Sequence, residues 1–283
     1  MLDNLFLCVG AQKSGTSWLH RQLEGHPDLS FSNIKEVHYF DTIHIGSPNL
    51  AQRHAVELAK ILKNDKKAFV NFIVNGSRGL KTDSRIRSLV SPVDDQWYFE
   101  LYKDNAKKYA ADFTPEYALI GGEGFRHVRR IAHKVKIVFI MRDPVERAKS
   151  AIRYFYKRQG IKISAVPKEK ITERAENPRL LSHSSYHNTV RVLDEVFSSE
   201  NVLYLFYEDM MMDKQGHIDK VCDFLGVNRT QVSVEDLERR VNATEEFAFD
   251  PSLDALLLKQ LSFVYDEMMN RFQYLPKSWG SRQ

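Results

Sequence analysis

The chain has 283 residues, of which 43% are apolar and 11% aromatic, so it can bury a large core. It contains no run of about 18 apolar residues and no basic leader before its first strand, so we expect neither a membrane span nor a cleavable signal peptide. Its net charge of +4 is unevenly distributed, because residues 126–158 hold eleven Lys or Arg against two acids. Such a concentration attracts anionic ligands, although Arg129, Arg130 and Lys134 are better explained as a solvated helix face. No aromatic ladder or zinc pattern accompanies the charge, which argues against nucleic-acid binding.

The two cysteines, Cys8 and Cys222, lie in apolar segments and are predicted to be buried free thiols. The ten histidines are scattered and show no metal-ligand spacing. We therefore expect a cytoplasmic protein without a bound metal.

Short apolar segments alternate with amphipathic ones along the chain. The predicted strands are 5–10, 109–113, 135–141 and 202–207, and the predicted helices are 16–24, 124–133, 144–158, 185–198, 213–225 and 252–272. The strands are mostly apolar on both faces, which is typical of a parallel sheet covered on each side. The alternation predicts one α/β domain over residues 1–283, with a central parallel sheet flanked by helices. Residues 41–108 and 159–181 fit this pattern poorly, so we interpret them as excursions from the sheet.

The most informative stretch is 10–18, Gly-Ala-Gln-Lys-Ser-Gly-Thr-Ser-Trp, which joins the first strand to the first helix. A loop in this position holds phosphate or sulfate through backbone N–H groups and the helix dipole. Gly10 and Gly15 have the spacing of a nucleotide-binding P-loop, but Thr16 stands at the lysine position and Lys13 precedes the second glycine. The loop is therefore P-loop-like and predicts an anion held differently from ATP. The alternative is an ordinary strand–turn–helix with a surface lysine.

A second anchor follows the strand predicted at 135–141. Asp143 is predicted to cap the next helix, with a proline at the first helical position and Glu146 completing a capping box. Arg142 has no such structural explanation, and at the carboxyl end of its strand its forked guanidinium can hold an anion. Ser150 lies about two turns along the new helix.

Together these segments resemble the sulfotransferases that use 3′-phosphoadenosine 5′-phosphosulfate (PAPS). Lys-Ser-Gly-Thr-Ser-Trp at 13–18 is similar to the family's 5′-phosphosulfate loop, and the strand followed by Arg-Asp-Pro and a later serine is similar to its 3′-phosphate site. The motifs are closest to the heparan sulfate sulfotransferase-like group, and we expect a soluble bacterial member. Further similar segments are 35–41, 96–98, 114–117, 185–187 and 206–209.

The resemblance implies transfer of the sulfuryl group of PAPS to a hydroxyl or amine of a small-molecule, lipid or sugar acceptor. It implies release of 3′-phosphoadenosine 5′-phosphate (PAP) and no need for a metal. The implied donor-binding residues are Lys13, Ser14, Gly15, Thr16, Ser17, Trp18, Arg142, Ser150 and Tyr186. The implied catalytic residues are Lys13, Glu36 and His38, with Lys13 stabilising the charge that develops on the leaving group. The two excursions, 41–108 and 159–181, are then expected on the acceptor side.

Several residue roles remain open at this level. Glu36 matches the catalytic glutamate of the resembled group and is the preferred base; the alternative is a surface glutamate paired with Lys35. His38 is a rival base, and in an extended segment both side chains point to the same side. Trp18 and Tyr186 are also explained by helix packing.

The sequence departs from the heparan sulfate enzymes at Asp112-Phe113, where that group carries Glu-Lys. The paired cysteines and the Lys-Gly-Arg cofactor loop of that group are missing too, and we assign residues 242–244 to cover the cofactor instead. Two other functions stay open. The spacing of Gly10 and Gly15 allows a P-loop kinase or nucleotide hydrolase, and Phe113 allows a non-catalytic nucleotide-binding relative.

Overall fold

The computed structural model of the protein describes residues 1–80, 86, 89–103, 107–230, 232–239 and 247–280, with the backbone alone for 77–80. The strands are β1 (Leu2–Gly10), β2 (Leu29–Phe31), β3 (Tyr109–Phe113), β4 (Ala132–Met141) and β5 (Val202–Phe206). The helices before β4 are α1 (Thr16–Leu23), α2 (Tyr39–Ile45), α3 (Asn49–Asn64), α4 (Lys66–Leu80), α5 (Asp95–Glu100) and α6 (Gly121–Ile131). Those between β4 and β5 are α7 (Pro144–Arg158), α8 (Lys168–Ala175), α9 (Pro178–Ser182) and α10 (Tyr186–Val196). Those after β5 are α11 (Tyr207–Met212), α12 (Lys214–Leu225), α13 (Val234–Glu238), α14 (Pro251–Phe272) and α15 (Lys277–Gly280).

The five strands form one parallel sheet in the order β2-β3-β1-β4-β5. In the centre, Leu5 of β1 lies opposite Ala110 of β3 and Val135 of β4. Because β1 and β4 are neighbours, the segments that follow them emerge side by side at the carboxyl edge of the sheet. The predicted α/β fold with a central parallel sheet is confirmed.

Side chains of β1 alternate between two hydrophobic cores. Leu5, Leu7 and Val9 face the larger core, whereas Phe6 and Cys8 face the smaller one. Burial on both faces explains why the strand is an unbroken apolar run. Cys222 of α12 lies in the smaller core, so both cysteines are buried free thiols, as predicted.

The start of α7 confirms the predicted helix cap. Asp143 Oδ1 accepts a hydrogen bond from the Glu146 amide (2.9 Å). Glu146 also pairs with Lys149 at 3.1 Å. Glu208, at the end of β5, accepts from the Asp143 amide (2.9 Å) and so ties two strand ends together.

Other sequence expectations need correction. Strand β2 was not predicted, since three residues at the sheet edge give too short a periodic signal. Residues 41–108 include most of α2 and the whole of α3, α4 and α5, and are thus largely helical rather than irregular.

The expectation for 242–244 lies outside the described residues. Within the described part of the chain, no helix is long and apolar enough to cross a membrane.

Candidate active site

A cleft of about 1250 Å³ opens at the carboxyl edge of the sheet, over the ends of β1 and β4. Most of the residues predicted for the site line it: Lys13, Gly15, Thr16, Ser17, Trp18, Glu36, His38, Arg142 and Ser150. Two predicted residues, Ser14 and Tyr186, are buried beside it and do not line it. The fold therefore brings together segments that are more than 120 residues apart in the sequence.

The loop after β1 makes a tight cradle at Gly15. This residue caps α1 in a left-handed conformation (φ 89°). A Cβ atom there would lie 2.8 Å from Met210 Cε and 2.9 Å from the Tyr207 ring, so a side chain has no room. The helix N-terminus carries partial positive charge and faces the cleft through Thr16 and Ser17. A glycine is thus required both by backbone conformation and by close packing.

Lys13 lies in this loop among other cations. Its Nζ lies 4.1 Å from the centre of the Tyr154 ring. Burial is the main cause that lowers the pKa of Lys13 to about 8, and neighbouring positive charges add to it. Those charges belong to Arg142, Lys157 and Arg153. An anion bound here would relieve this repulsion, which is the electrostatic signature of an anion site.

Arg142 links the two strand ends. Its Nη1 donates to the carbonyl oxygen of Lys13 (3.3 Å), and its guanidinium lies 4.7 Å from the centre of the Tyr207 ring. The hydroxyl of Tyr186 donates to the Arg142 carbonyl (2.7 Å) from below. Tyr186 is buried and bonded to the Arg142 backbone, and its contact with the donor stays a prediction.

Ser14 and Trp18 serve partly structural roles. Ser14 is completely buried, and its hydroxyl has no hydrogen-bond partner among the described residues. Its predicted direct contact with a ligand in the cleft is therefore not supported. Trp18 lines the cleft but is mostly buried, and its indole N–H donates to the Leu237 carbonyl (3.1 Å). Packing therefore explains the position of the Trp18 side chain, which is the alternative given in the sequence analysis.

Glu36 and His38 meet in the wall of the cleft. His38 Nδ1 donates to Asp41 Oδ2 (2.9 Å), and its Nε2 lies 3.8 Å from Glu36 Oε2. The segment is not extended, because both residues have left-handed backbones with φ values of 55° and 59°. The turn nevertheless brings the two side chains to one place, by a different geometry from the one predicted.

The ionisation of this pair is set by its partners. Burial by itself lowers the pKa of His38, but hydrogen bonds to Asp41 and Glu36 outweigh it and raise the pKa to about 9. Burial raises the pKa of Glu36, yet the bond to His38 and the nearby positive charges bring it below its ordinary range. At neutral pH the pair is an imidazolium beside a carboxylate.

Arg53 of α3 holds the Glu36 turn in place. Its Nη2 lies 3.6 Å from Glu36 Oε2, and its Nη1 donates to the Glu36 carbonyl (2.9 Å) and to the Lys35 carbonyl. Lys35 itself points to Ser17 Oγ at 3.4 Å. The alternative of a surface glutamate paired with Lys35 is therefore wrong.

The departure at Asp112-Phe113 has a structural explanation. Phe113 belongs to the smaller core, where its ring packs against Phe6 and Phe31, and it does not line the cleft. Asp112 is buried under the site and accepts hydrogen bonds from the hydroxyls of Tyr117 (2.8 Å) and Tyr98 (3.1 Å). Burial raises the pKa of Asp112. This position supports the fold rather than the cleft.

Sequence reasoning missed several lining residues. Arg153 and Tyr154 follow Ser150 by three and four positions on α7, so helical spacing alone could have found them. Arg158 ends the same helix, whereas the others come from remote segments with no local signal: Arg53, Arg179, Lys214 and Arg239. Their presence makes the cleft strongly basic.

A parallel α/β sheet with a glycine cradle and paired cations at adjacent strand ends forms a site for a phosphate-bearing ligand. The chain matches the sulfotransferase domain family over residues 3–250 and belongs to that family. Members of this family use PAPS and release PAP. This supports the predicted sulfuryl transfer over the kinase or hydrolase alternative.

Solved structures agree with the fold. The chain is similar to a sulfotransferase from Alicyclobacillus acidocaldarius, with a TM-score of 0.63, 18% identity and 99% of each chain covered. It is also similar to the sulfotransferase domain of the Synechococcus PCC 7002 olefin synthase, with a TM-score of 0.55, 17% identity, and coverage of 97% of this chain and 96% of that one. No curated protein matches the sequence significantly.

Proposed function

We propose that PAPS is bound across the ends of β1 and β4, with its phosphosulfate at the Gly15 cradle and its 3′-phosphate at Arg142 and Ser150. The observation that carries this proposal is the direct contact between the two anchors, Arg142 Nη1 to the Lys13 carbonyl. The residues fit the donor in charge, since the cations there repel one another and a bound anion would relieve that repulsion. Lys13, Thr16 and Ser17 would hold the phosphosulfate.

PAPS, when bound, supplies a sulfuryl group on a phosphate leaving group. Lys13 places a positive charge where negative charge develops on that leaving group. Arg142 and the N-terminus of α1 fix the two ends of the nucleotide. The donor is then already oriented for transfer, which lowers the entropic cost of reaching the transition state. Because these side chains supply the positive charge, and Asp143 is used as a helix cap, we propose that transfer needs no metal.

Glu36 is proposed as the base that accepts the proton of the acceptor hydroxyl or amine. His38 is held protonated by Asp41 and Glu36, and an imidazolium has no lone pair to accept a proton. Its role is then to orient Glu36 and keep it ionised. We therefore propose Glu36, rather than His38, as the base.

The acceptor is proposed to enter between α3 and the segment around α9. Asn49, Gln52 and Val56 of α3 line one wall of the cleft. Arg179 of α9 lines it too and binds Glu116 Oε1 at 2.8 Å. The two excursions, 41–108 and 159–181, thus both contribute to the wall, which supports their assignment to acceptor binding. Small molecules, lipids and sugars stay the proposed acceptor classes, and a cytoplasmic location stays a prediction.

The test is calorimetric titration of PAP and of AMP into the wild type and Arg142→Ala. We expect PAP to bind more tightly than AMP by at least about tenfold, a difference of about 1.4 kcal/mol, and the variant to lose that preference. Equal binding of both nucleotides to the wild type would contradict the assignment of the 3′-phosphate site. Tight PAP binding without transfer across a broad acceptor panel would identify a non-catalytic relative.

A further inference from the structure

Helix α4 carries large apolar side chains on its solvent side. Phe69, Val70, Phe72, Ile73 and Val74 are all exposed, Ile73 by 65% and Val74 by 72%. With about 3.6 residues per turn, these five positions occupy one continuous arc of about 200°. Contiguous apolar surface of this kind marks an interaction site.

The opposite face of α4 packs against α3 through a small residue. Ala68 is buried against Leu58 and Ile61 of α3. The inward face therefore presents a small residue, whereas the outward face presents the large ones. This reverses the ordinary amphipathic pattern, in which large apolar residues face the core.

Cations lie beside the apolar arc. Lys63, Lys66 and Lys67 are exposed at the end of α3 and the start of α4. Residues 61–76 hold three lysines against one acidic residue, Asp65. Apolar side chains flanked by lysines are typical of helices that lie in the surface of an anionic membrane. In a two-fold dimer through this face the same lysines would approach one another, which electrostatic repulsion disfavours.

We propose that α4 docks this protein on the surface of an anionic lipid bilayer. Phe69, Ile73 and Val74 insert among the acyl chains, and the lysines contact the lipid headgroups. Helix α3 packs α4 with one face and borders the cleft with another, through Arg53 and Val56. Docking would bring the acceptor wall of the cleft to the lipid surface. Docking together with the proposed function implies an acceptor carried by a lipid, and this consequence rests on the proposed function. The docking itself does not depend on the proposed function.

The first experiment is vesicle flotation of the full chain without nucleotide, with vesicles of phosphatidylcholine alone or mixed with phosphatidylglycerol. We expect binding to the mixed vesicles to exceed binding to neutral ones. It should weaken when ionic strength rises from about 0.1 M to about 1 M, because the screening length falls from about 10 Å to about 3 Å. Ile73→Ser with Val74→Ser should lower the partition coefficient at least about tenfold. Lys66→Gln with Lys67→Gln should remove most of the salt dependence.

The matched control replaces two exposed apolar residues elsewhere, Ile161→Ser with Phe263→Ser, and should bind vesicles like the wild type. A gain-of-signal variant, Val74→Trp, gives a readout that does not depend on lost binding. The three native tryptophans are buried, so the emission of the new one should shift to the blue on mixed vesicles.

Failure of the wild type to float with mixed vesicles would overturn the proposal, as would an equal loss in the control variant. A dimer in sedimentation that Ile73→Ser with Val74→Ser dissociates, without vesicle binding, would instead assign the face to a second copy. PAP binding is measured on every variant, so a failure of docking is distinguished from a failure of the nucleotide site.

Discussion

At the scale of single residues, charge governs the cleft. Lys13 and Glu36 both line it, and the ionisation of each is set by the groups around it. Burial and the positive charge of Arg142 lower the pKa of Lys13. Glu36 is kept ionised by His38 and Arg53. The sequence motif identified both residues, but only the fold shows what tunes them.

The low pKa of Lys13 predicts a pH-dependent affinity for PAP. Below pH 8 the ammonium is charged, and above it the free protein loses this charge. Affinity should therefore fall by up to about tenfold per pH unit above pH 8, because binding must then take up a proton. Calorimetric titration of PAP over this range measures the effect. Lys13→Arg should abolish the pH dependence, and an unchanged slope in that variant would argue for another titrating group.

Arg53 contributes to the low pKa of Glu36. Its positive charge lowers the pKa of that carboxyl, so Arg53→Gln should raise the pKa of Glu36. Carbon-13 NMR titration of the side-chain carboxyl, assigned with Glu36→Gln, measures the shift without any acceptor. Lys60→Gln is the control, since Lys60 also lines the cleft from α3 but pairs with Glu57. Equal shifts in both variants would mean that Arg53 acts only as part of the general basic field.

At the scale of secondary-structure elements, the junction of β1 with α1 depends on Gly15. Gly25 provides a matched comparison because it has the same φ of 89° and nothing within 4 Å of a Cβ. Gly25→Ala should cost only the left-handed strain, about 1–2 kcal/mol of unfolding free energy. Gly15→Ala should cost more and should also abolish PAP binding, since Met210 and Tyr207 must move. Chemical denaturation and calorimetry measure both effects, and equal costs at the two sites would contradict the cradle.

The elements also show what a sequence can and cannot predict here. Strand β3 and helix α7 were predicted with the observed bounds, because an apolar run and an Asp-Pro cap are local signals. The strand β2 and the helices α3 and α4 were missed. Strand β2 depends on tertiary pairing, and α4 exposes the residues that a periodicity argument would place inside. For the site, the loop and Arg142 were predicted, whereas Arg53 and Arg179 come from the poorly patterned excursions.

At the scale of the whole molecule, Glu116 joins the segment after β3 to α9. Burial raises its pKa, but His183 and Arg179 outweigh this and lower the pKa to about 2. A lowered carboxyl pKa contributes stability that is present above pH 4.5 and lost as pH falls toward 2. The shift corresponds to about 3 kcal/mol.

Glu116→Gln should therefore lower the unfolding free energy at neutral pH by up to about 3 kcal/mol and flatten the loss of stability in acid. Denaturant titrations at a series of pH values measure both. A variant that loses stability in acid as steeply as the wild type would show that other carboxylates dominate.

The contact between Arg142 and the Lys13 carbonyl also bears on how this protein can change over generations. If the donor binds as proposed, both of its ends are anchored to strands whose spacing is fixed by backbone pairing of β1 with β4. Substitutions on α3 or α9 leave that spacing untouched. Donor choice is thus inherited with the sheet, while acceptor choice can diverge on the surrounding helices. New specificities should accumulate there without loss of the ancestral chemistry.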